Sequence, residues 1–89
     1  MPYLHVSGLP WFRREDWPRW RAIDATLPQD YDQWLSCYEE VLLNFERIGG
    51  RFAEVIMDPD VFLAWVSAMG ITADRRAMSR YADMRASRR

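Results

Sequence analysis

Cysteine, histidine and lysine are almost missing from this chain of 89 residues, which has one cysteine, one histidine and no lysine. A single Cys37 excludes an intramolecular disulfide and is typical of a reducing compartment. No stretch of the sequence has the apolar length of a signal peptide or of a membrane span. We therefore expect a cytoplasmic protein with no membrane attachment.

The motifs that usually carry chemistry are missing too. Nucleophilic catalysis needs a nucleophile beside a base, and His5 and Cys37 are far apart in the sequence with no catalytic motif around either. No glycine-rich phosphate loop occurs. The carboxylates of Glu54, Asp58 and Asp60 are closely spaced, but helix capping explains the two aspartates better than a Mg²⁺ or Ca²⁺ site does. We therefore expect no enzyme, no metal site and no cofactor, with catalysis through His5 as the weakest alternative.

Aromatic residues are plentiful, at 15% of the chain with five tryptophans. A chain of this length forms one domain and buries only about 60–65% of its unfolded surface, so large aromatic side chains are its main source of apolar area. We expect a single domain over residues 1–89. Its first twelve residues, interrupted by Pro2, Gly8 and Pro10, form an N-terminal arm, and residues 86–89 form a frayed end.

Apolar residues recur at three- and four-residue spacing in four segments, which predicts four helices. Pro28 ends the first of them after Leu27. A capping residue precedes each helix, and a glycine follows the second and the third. The predicted starts are Asp16, Asp30, Asp58 and Thr72, and the predicted ends with a left-handed glycine are Gly49 and Gly70.

Residues 51–57 predict one short strand between the second and third helices. A strand needs hydrogen-bond partners outside its own segment, so it must pair with something. The candidates are residues 3–6 of the same chain, or the same strand of a second copy, antiparallel across a twofold axis. The fold class expected is therefore α+β and helix-dominated, with about four helices and one short strand pair.

Aromatic and strand-edge residues are the preferred contact surface. Several tryptophans near the N-terminus exceed what one short helix can bury on one face, and aromatics are enriched at interface centres. The alternative is that they complete a small core. The function expected is a non-catalytic interaction module, either a homodimer or an accessory subunit of a bacterial-type complex. The candidate contact residues are Trp11, Phe12, Trp17, Trp20, Phe52, Glu54 and Ile56.

The charge is uneven along the chain. Residues 1–70 hold six arginines against eleven acids, whereas residues 71–89 hold six arginines against two acids. The alternative function is therefore a small nucleic-acid-binding regulator that uses the basic last helix. Asp74 and Asp83 interrupt this basic segment, which weakens that alternative. Its candidate residues are Arg75, Arg76, Arg80 and Arg85.

Overall fold

Two parallel strands packed between helices form the centre of the protein. The computed structural model describes residues 6–87, and within them no helix combines the length and apolar character needed to cross a membrane. The predicted fold class, helix-dominated α+β, is confirmed. In chain order the elements are β1 (Ser7–Trp11), a 3₁₀ turn (Arg14–Asp16), α1 (Trp17–Ile23), α2 (Tyr31–Ile48), β2 (Phe52–Ile56), α3 (Pro59–Met69) and α4 (Arg75–Ser87).

The boundaries of α2 and α3 agree with the caps predicted from the sequence. The carboxylate of Asp30 accepts a hydrogen bond from the backbone N–H two residues later, at 3.2 Å, and Asp58 does the same at 2.9 Å. Pro59 occupies the first turn of α3, where its missing N–H is not needed. Gly49 and Gly70 end the two helices at φ values of 71° and 66°, a conformation that side chains disfavour.

Helix α1 is shorter than predicted. Its end lies at Ile23, and Leu27 is buried in the following turn instead of extending the helix. The reason is local, because the Asp24 carboxylate accepts hydrogen bonds from the backbone N–H and the hydroxyl of Thr26, at 2.9 and 2.6 Å, which competes with a further helical turn. Asp16 precedes the helix without capping it, since its carboxylate binds the Arg13 guanidinium at 2.8 Å.

Helix α4 begins later than predicted, because Asp74 and not Thr72 is its cap. The Asp74 carboxylate accepts a hydrogen bond from the backbone N–H of Ala77 at 2.9 Å. Aspartate is a somewhat better N-cap than threonine, and here it lies at the spacing that a cap requires. At the other end α4 continues through Ser87 and buries Ala86, while residues 88 and 89 lie outside the described part.

The strand pair forms within one chain, and its second member lies inside the predicted residues 51–57. Its first member differs from the prediction. Residues 3–5 are outside the described residues, and the strand that pairs with β2 is Ser7–Trp11, with Ser7 opposite Phe52 and Trp11 opposite Ile56. Gly8 and Pro10 lie inside this strand, although glycine and proline usually mark its interruption.

Helices α4 and α2 cover opposite faces of the sheet. Helix α4 approaches β1 closely, since a Cβ atom placed on Gly8 would lie 2.0 Å from the carbonyl oxygen of Ala82. Helix α2 stands further off and packs through large rings, with Trp11 against Trp34 and Tyr38 at centroid distances of 5.5 and 5.2 Å. One core connects all layers: Phe12, Trp17, Trp20, Leu27, Tyr31, Trp34, Tyr38, Val55, Met57, Phe62, Val66, Ala77, Met78, Tyr81, Ala82 and Ala86.

Candidate functional site

The hydrogen bonds at the ends of the strand pair show which backbone groups face outward. The N–H of Ser7 donates to the Arg51 carbonyl at 3.1 Å, and the N–H of Met57 donates to the Trp11 carbonyl at 3.0 Å. Successive residues of a strand direct their backbone groups to opposite sides. On β1, residues 7, 9 and 11 therefore bond to β2, and residues 8 and 10 face the free edge. On β2, the groups that face its free edge, here called the outer edge of β2, are those of Phe52, Glu54 and Ile56.

The free edge of β1 is closed to further pairing. The N–H of Gly8 donates to the carboxylate of Asp83 at 2.7 Å, and Pro10 has no N–H to offer. Just beyond the strand, the carbonyl of Phe12 accepts a hydrogen bond from the hydroxyl of Tyr31 at 2.6 Å. A proline and a satisfied donor are devices by which proteins protect exposed sheet edges. A second strand therefore finds no free backbone donor on β1.

No described residue protects the outer edge of β2 in a comparable way. Among residues 6–87, no group hydrogen-bonds to the backbone of Phe52, Glu54 or Ile56. Helix α3 follows β2 directly but turns to pack on α4, where the ring of Trp65 lies 5.4 Å from that of Tyr81. Ile56 is 69% exposed. This edge therefore presents three successive outward pairs of N–H and C=O groups beside an apolar side chain.

The side chains along the outer edge of β2 are held in position from α2. Phe52 packs against Phe45 with ring centroids 5.5 Å apart. The hydroxyl of Tyr38 donates to the Glu54 carboxylate at 2.6 Å. Burial raises the pKa of the Tyr38 hydroxyl, and the carboxylate beside it raises that pKa further, so the hydroxyl remains a donor at neutral pH. This hydrogen bond therefore holds the side chain of Glu54 in one orientation.

Four of the five aromatic residues in the predicted contact set lie in the core or pack against it: Phe12, Trp17 and Trp20 are buried, and Trp11 is partly buried. Phe12, Trp17 and Trp20 are only 4%, 5% and 0% exposed. Trp11 is half-buried against α2. Their side chains stabilise the fold, which is the alternative that the sequence left open for them. Phe52, Glu54 and Ile56 are the members of the set that share one surface.

The four arginines proposed for nucleic-acid binding are all exposed on α4, but they do not form one patch. At about 100° per residue, Arg76 and Arg80 lie one turn apart on the same side of the helix. Arg75 points about 100° away from Arg76, and Arg85 points to roughly the opposite side. Arg76 and Arg80 are therefore the two of the four that share one side of the helix.

A groove that the sequence did not predict runs along the β1 edge between α2 and α4, with a volume of about 260 Å³. The groove forms because two helices that are distant in sequence lie on either side of one strand, so no local sequence pattern predicts it. In the described part of the chain its walls bring together no histidine, no carboxylate pair and no hydroxyl beside a base. Its lining is Leu9, Pro10, Phe12, Leu27, Trp34, Cys37, Tyr38, Val41, Arg75, Met78 and Ser79.

The other candidates for chemistry form no further site among the residues that the structure describes. His5 lies outside the described residues, so its distance from Cys37 is not defined, and Cys37 itself is an exposed free thiol. Glu54, Asp58 and Asp60 do not gather, and across residues 6–87 no three His, Cys, Asp or Glu side chains are placed to hold a metal ion. Comparison with protein-family models, curated proteins and solved structures found no match.

Proposed function

We propose that this protein is a non-catalytic interaction module that binds a protein strand at the outer edge of β2, as an accessory subunit of a complex or as a homodimer. The observation that carries the proposal is the unpaired backbone of Phe52, Glu54 and Ile56 among the described residues. An added strand gains main-chain hydrogen bonds there, and side-chain contacts at alternate positions give selectivity.

The contrast between the two edges supports this function. An exposed edge invites unwanted pairing, and this chain closes the β1 edge with Pro10 and with the bond from Gly8 to Asp83. At β2 the one charged side chain, Glu54, is tied to Tyr38. Protection of one edge and not of the other supports a binding role for the open edge. The exposed free thiol of Cys37 agrees with a cytoplasmic location.

Site-specific photo-crosslinking in the native cell tests the proposal. A benzophenone amino acid at Ile56 reports on the outer edge of β2, and the same group at Leu43, which is 60% exposed on α2, is the matched control. We expect a discrete protein adduct from position 56 and none from position 43. Glu54→Pro removes an N–H that faces outward and leaves the bonds to β1 intact, so it should abolish the adduct. Equal adducts at both positions, or none at position 56, contradict the proposal.

A second function, nucleic-acid binding through α4, is supported only by Arg76 and Arg80. Both are exposed, they lie one turn apart, and within residues 6–87 neither forms an ion pair. Titration with duplex and single-stranded oligonucleotides over a salt series tests it, with Arg76→Glu/Arg80→Glu as the comparison. Salt-dependent binding that this double variant loses favours it, and absence of binding at low salt rejects it.

A further inference from the structure

The charges around the outer edge of β2 indicate which kind of strand it accepts. Resting on the function proposed above, we propose that the partner strand belongs to a different protein and carries a lysine or arginine opposite Glu54. Apolar residues two positions to either side of that cation contact Phe52 and Ile56. The alternative occupant is β2 of a second copy.

A second copy brings like charges together. Antiparallel pairing of β2 with itself across a twofold axis uses the outward groups of residues 52, 54 and 56 in one of three registers, centred on residue 53, 54 or 55. In the central register the two Glu54 side chains are directly opposite, about 5 Å apart at Cβ, and in the other two they are diagonal neighbours, about 7–8 Å apart. In each case both carboxylates lie on the same face of the joined sheet, which destabilises the pair.

The flank of α2 adds to this negative charge. Cys37 and Val41 line the groove at the β1 edge, so the opposite flank of the helix lies on the side of the outer edge of β2. Helical spacing places Glu39 and Glu46 on that flank, and both are exposed. The twofold axis of this antiparallel pairing places both α2 helices on the same side of the joined sheet, about 10 Å apart. Pairing with a second copy therefore brings six carboxylates close together, three from each chain.

The nearest basic residue along the strand does not cancel this charge. Arg51 is exposed, but the alternation of β2 directs its side chain to the face that α4 covers, away from Glu54. An incoming cation on the α2 face instead meets Glu54, already oriented by Tyr38, with Glu39 and Glu46 above it. Charge complementarity of this kind selects partners and accelerates their encounter.

Two synthetic peptides distinguish the occupants. Both have nine residues that alternate isoleucine and threonine, and the central residue is arginine in one and glutamate in the other. Titrations followed by ¹⁵N–¹H NMR should shift the amides of Phe52, Glu54 and Ile56 and leave the amide of Gly8 unchanged. We expect the arginine peptide to bind about tenfold more tightly, since an attractive pair replaces a repulsive one.

Charge reversal of the protein completes the test. Glu54→Arg should make the glutamate peptide bind more tightly than the arginine peptide. Glu40→Arg, an exposed change on the solvent side of α2, should leave the preference for the arginine peptide unchanged. Equal binding of both peptides at these amides overturns the inference about charge but keeps the outer edge as a binding strand. A wild-type dimer that Ile56→Pro dissociates makes the second copy the occupant and likewise overturns it. If neither peptide shifts these amides, the proposed function itself fails.

Discussion

The backbone N–H of Gly8 and the carboxylate of Asp83 are joined by a 2.7 Å hydrogen bond that fastens the first strand to the last helix. The bond forms where α4 comes closest to the sheet, since a Cβ atom on Gly8 would lie 2.0 Å from the Ala82 carbonyl oxygen. This hydrogen bond joins α4 to β1 at their closest approach, and it satisfies the only N–H within β1 that points to the free edge.

Replacing Gly8 by alanine should destabilise the protein strongly. The added methyl group meets helix backbone, which cannot rotate away, so we expect a loss of about 3 kcal/mol in the free energy of unfolding. Urea unfolding followed by circular dichroism measures it. Gly70→Ala is the control, because that site has open space but a φ of 66°, and it should lose only about 1 kcal/mol. Similar losses for the two variants would show that α4 can move away from β1.

Opening the β1 edge should produce self-association. Pro10→Thr supplies a second outward N–H, and Asp83→Ala frees that of Gly8, so the double variant presents two adjacent donors beside the groove. We expect an apparent mass in light scattering that rises with protein concentration. The matched double variant with Asp83→Asn keeps an acceptor for Gly8 and should associate less. A double variant that remains monomeric at all concentrations would mean that the flanking helices alone protect this edge.

Much of the helical structure follows from short-range signals. Asp30, Asp58 and Pro59 start helices, and Gly49 and Gly70 end them, because each satisfies or permits a local backbone conformation. The position of β2 follows from the same signals, since it lies between one such end and the next start.

The position of β1 could not be predicted in this way. Gly8 is tolerated in the strand because α4 packs against it, and Pro10 because its ring nitrogen faces the free edge. Both reasons involve residues far away in sequence. The same distinction applies to the candidate contact residues. The outward direction of Phe52, Glu54 and Ile56 follows from strand alternation, whereas the burial of Phe12, Trp17 and Trp20 depends on how the layers assemble.

Acid should remove the contribution of Asp24 to stability. Its carboxylate binds Thr26 and also accepts the backbone N–H of Arg75 at 3.0 Å, and these bonds, the Thr26 hydroxyl above all, lower its pKa. A lowered pKa in the folded state means that the stabilisation is present above the unfolded value, about 3.9, and is lost as pH falls through the folded value. Wild type should exceed Asp24→Asn in stability by about 1 kcal/mol at neutral pH.

Urea unfolding of both proteins over a pH series checks this expectation, and the gap between them should shrink at the acid end. Thr26→Ala removes the hydroxyl and keeps the backbone N–H. The stability gap between wild type and this variant should also shrink at acid pH, but by less than the gap for Asp24→Asn. If the difference in the free energy of unfolding between wild type and Asp24→Asn stays constant from neutral to acid pH, the charge of Asp24 does not contribute to stability.

Two buried tryptophans should respond differently to replacement by phenylalanine. The indole N–H of Trp17 donates to the Pro28 carbonyl at 3.2 Å, whereas the buried N–H of Trp20 has no acceptor among residues 6–87. Both variants lose the same volume, but Trp17→Phe also breaks a hydrogen bond and Trp20→Phe removes an unpaired donor. We expect Trp17→Phe to lose about 1 kcal/mol more. Far-UV circular dichroism in urea measures both, and the reverse order would show that the Trp20 N–H is bonded.

The contact between Gly8 and Asp83 also has a kinetic meaning, because it joins residues 75 positions apart. Contacts of such sequence separation close slowly, so the rate of folding should be limited by the arrival of α4 on the sheet and not by formation of the individual helices. Until that docking occurs, neither strand has its native surroundings. The outer edge of β2 is therefore completed late in folding, and a chain cut before α4 should remain an unfolded polypeptide.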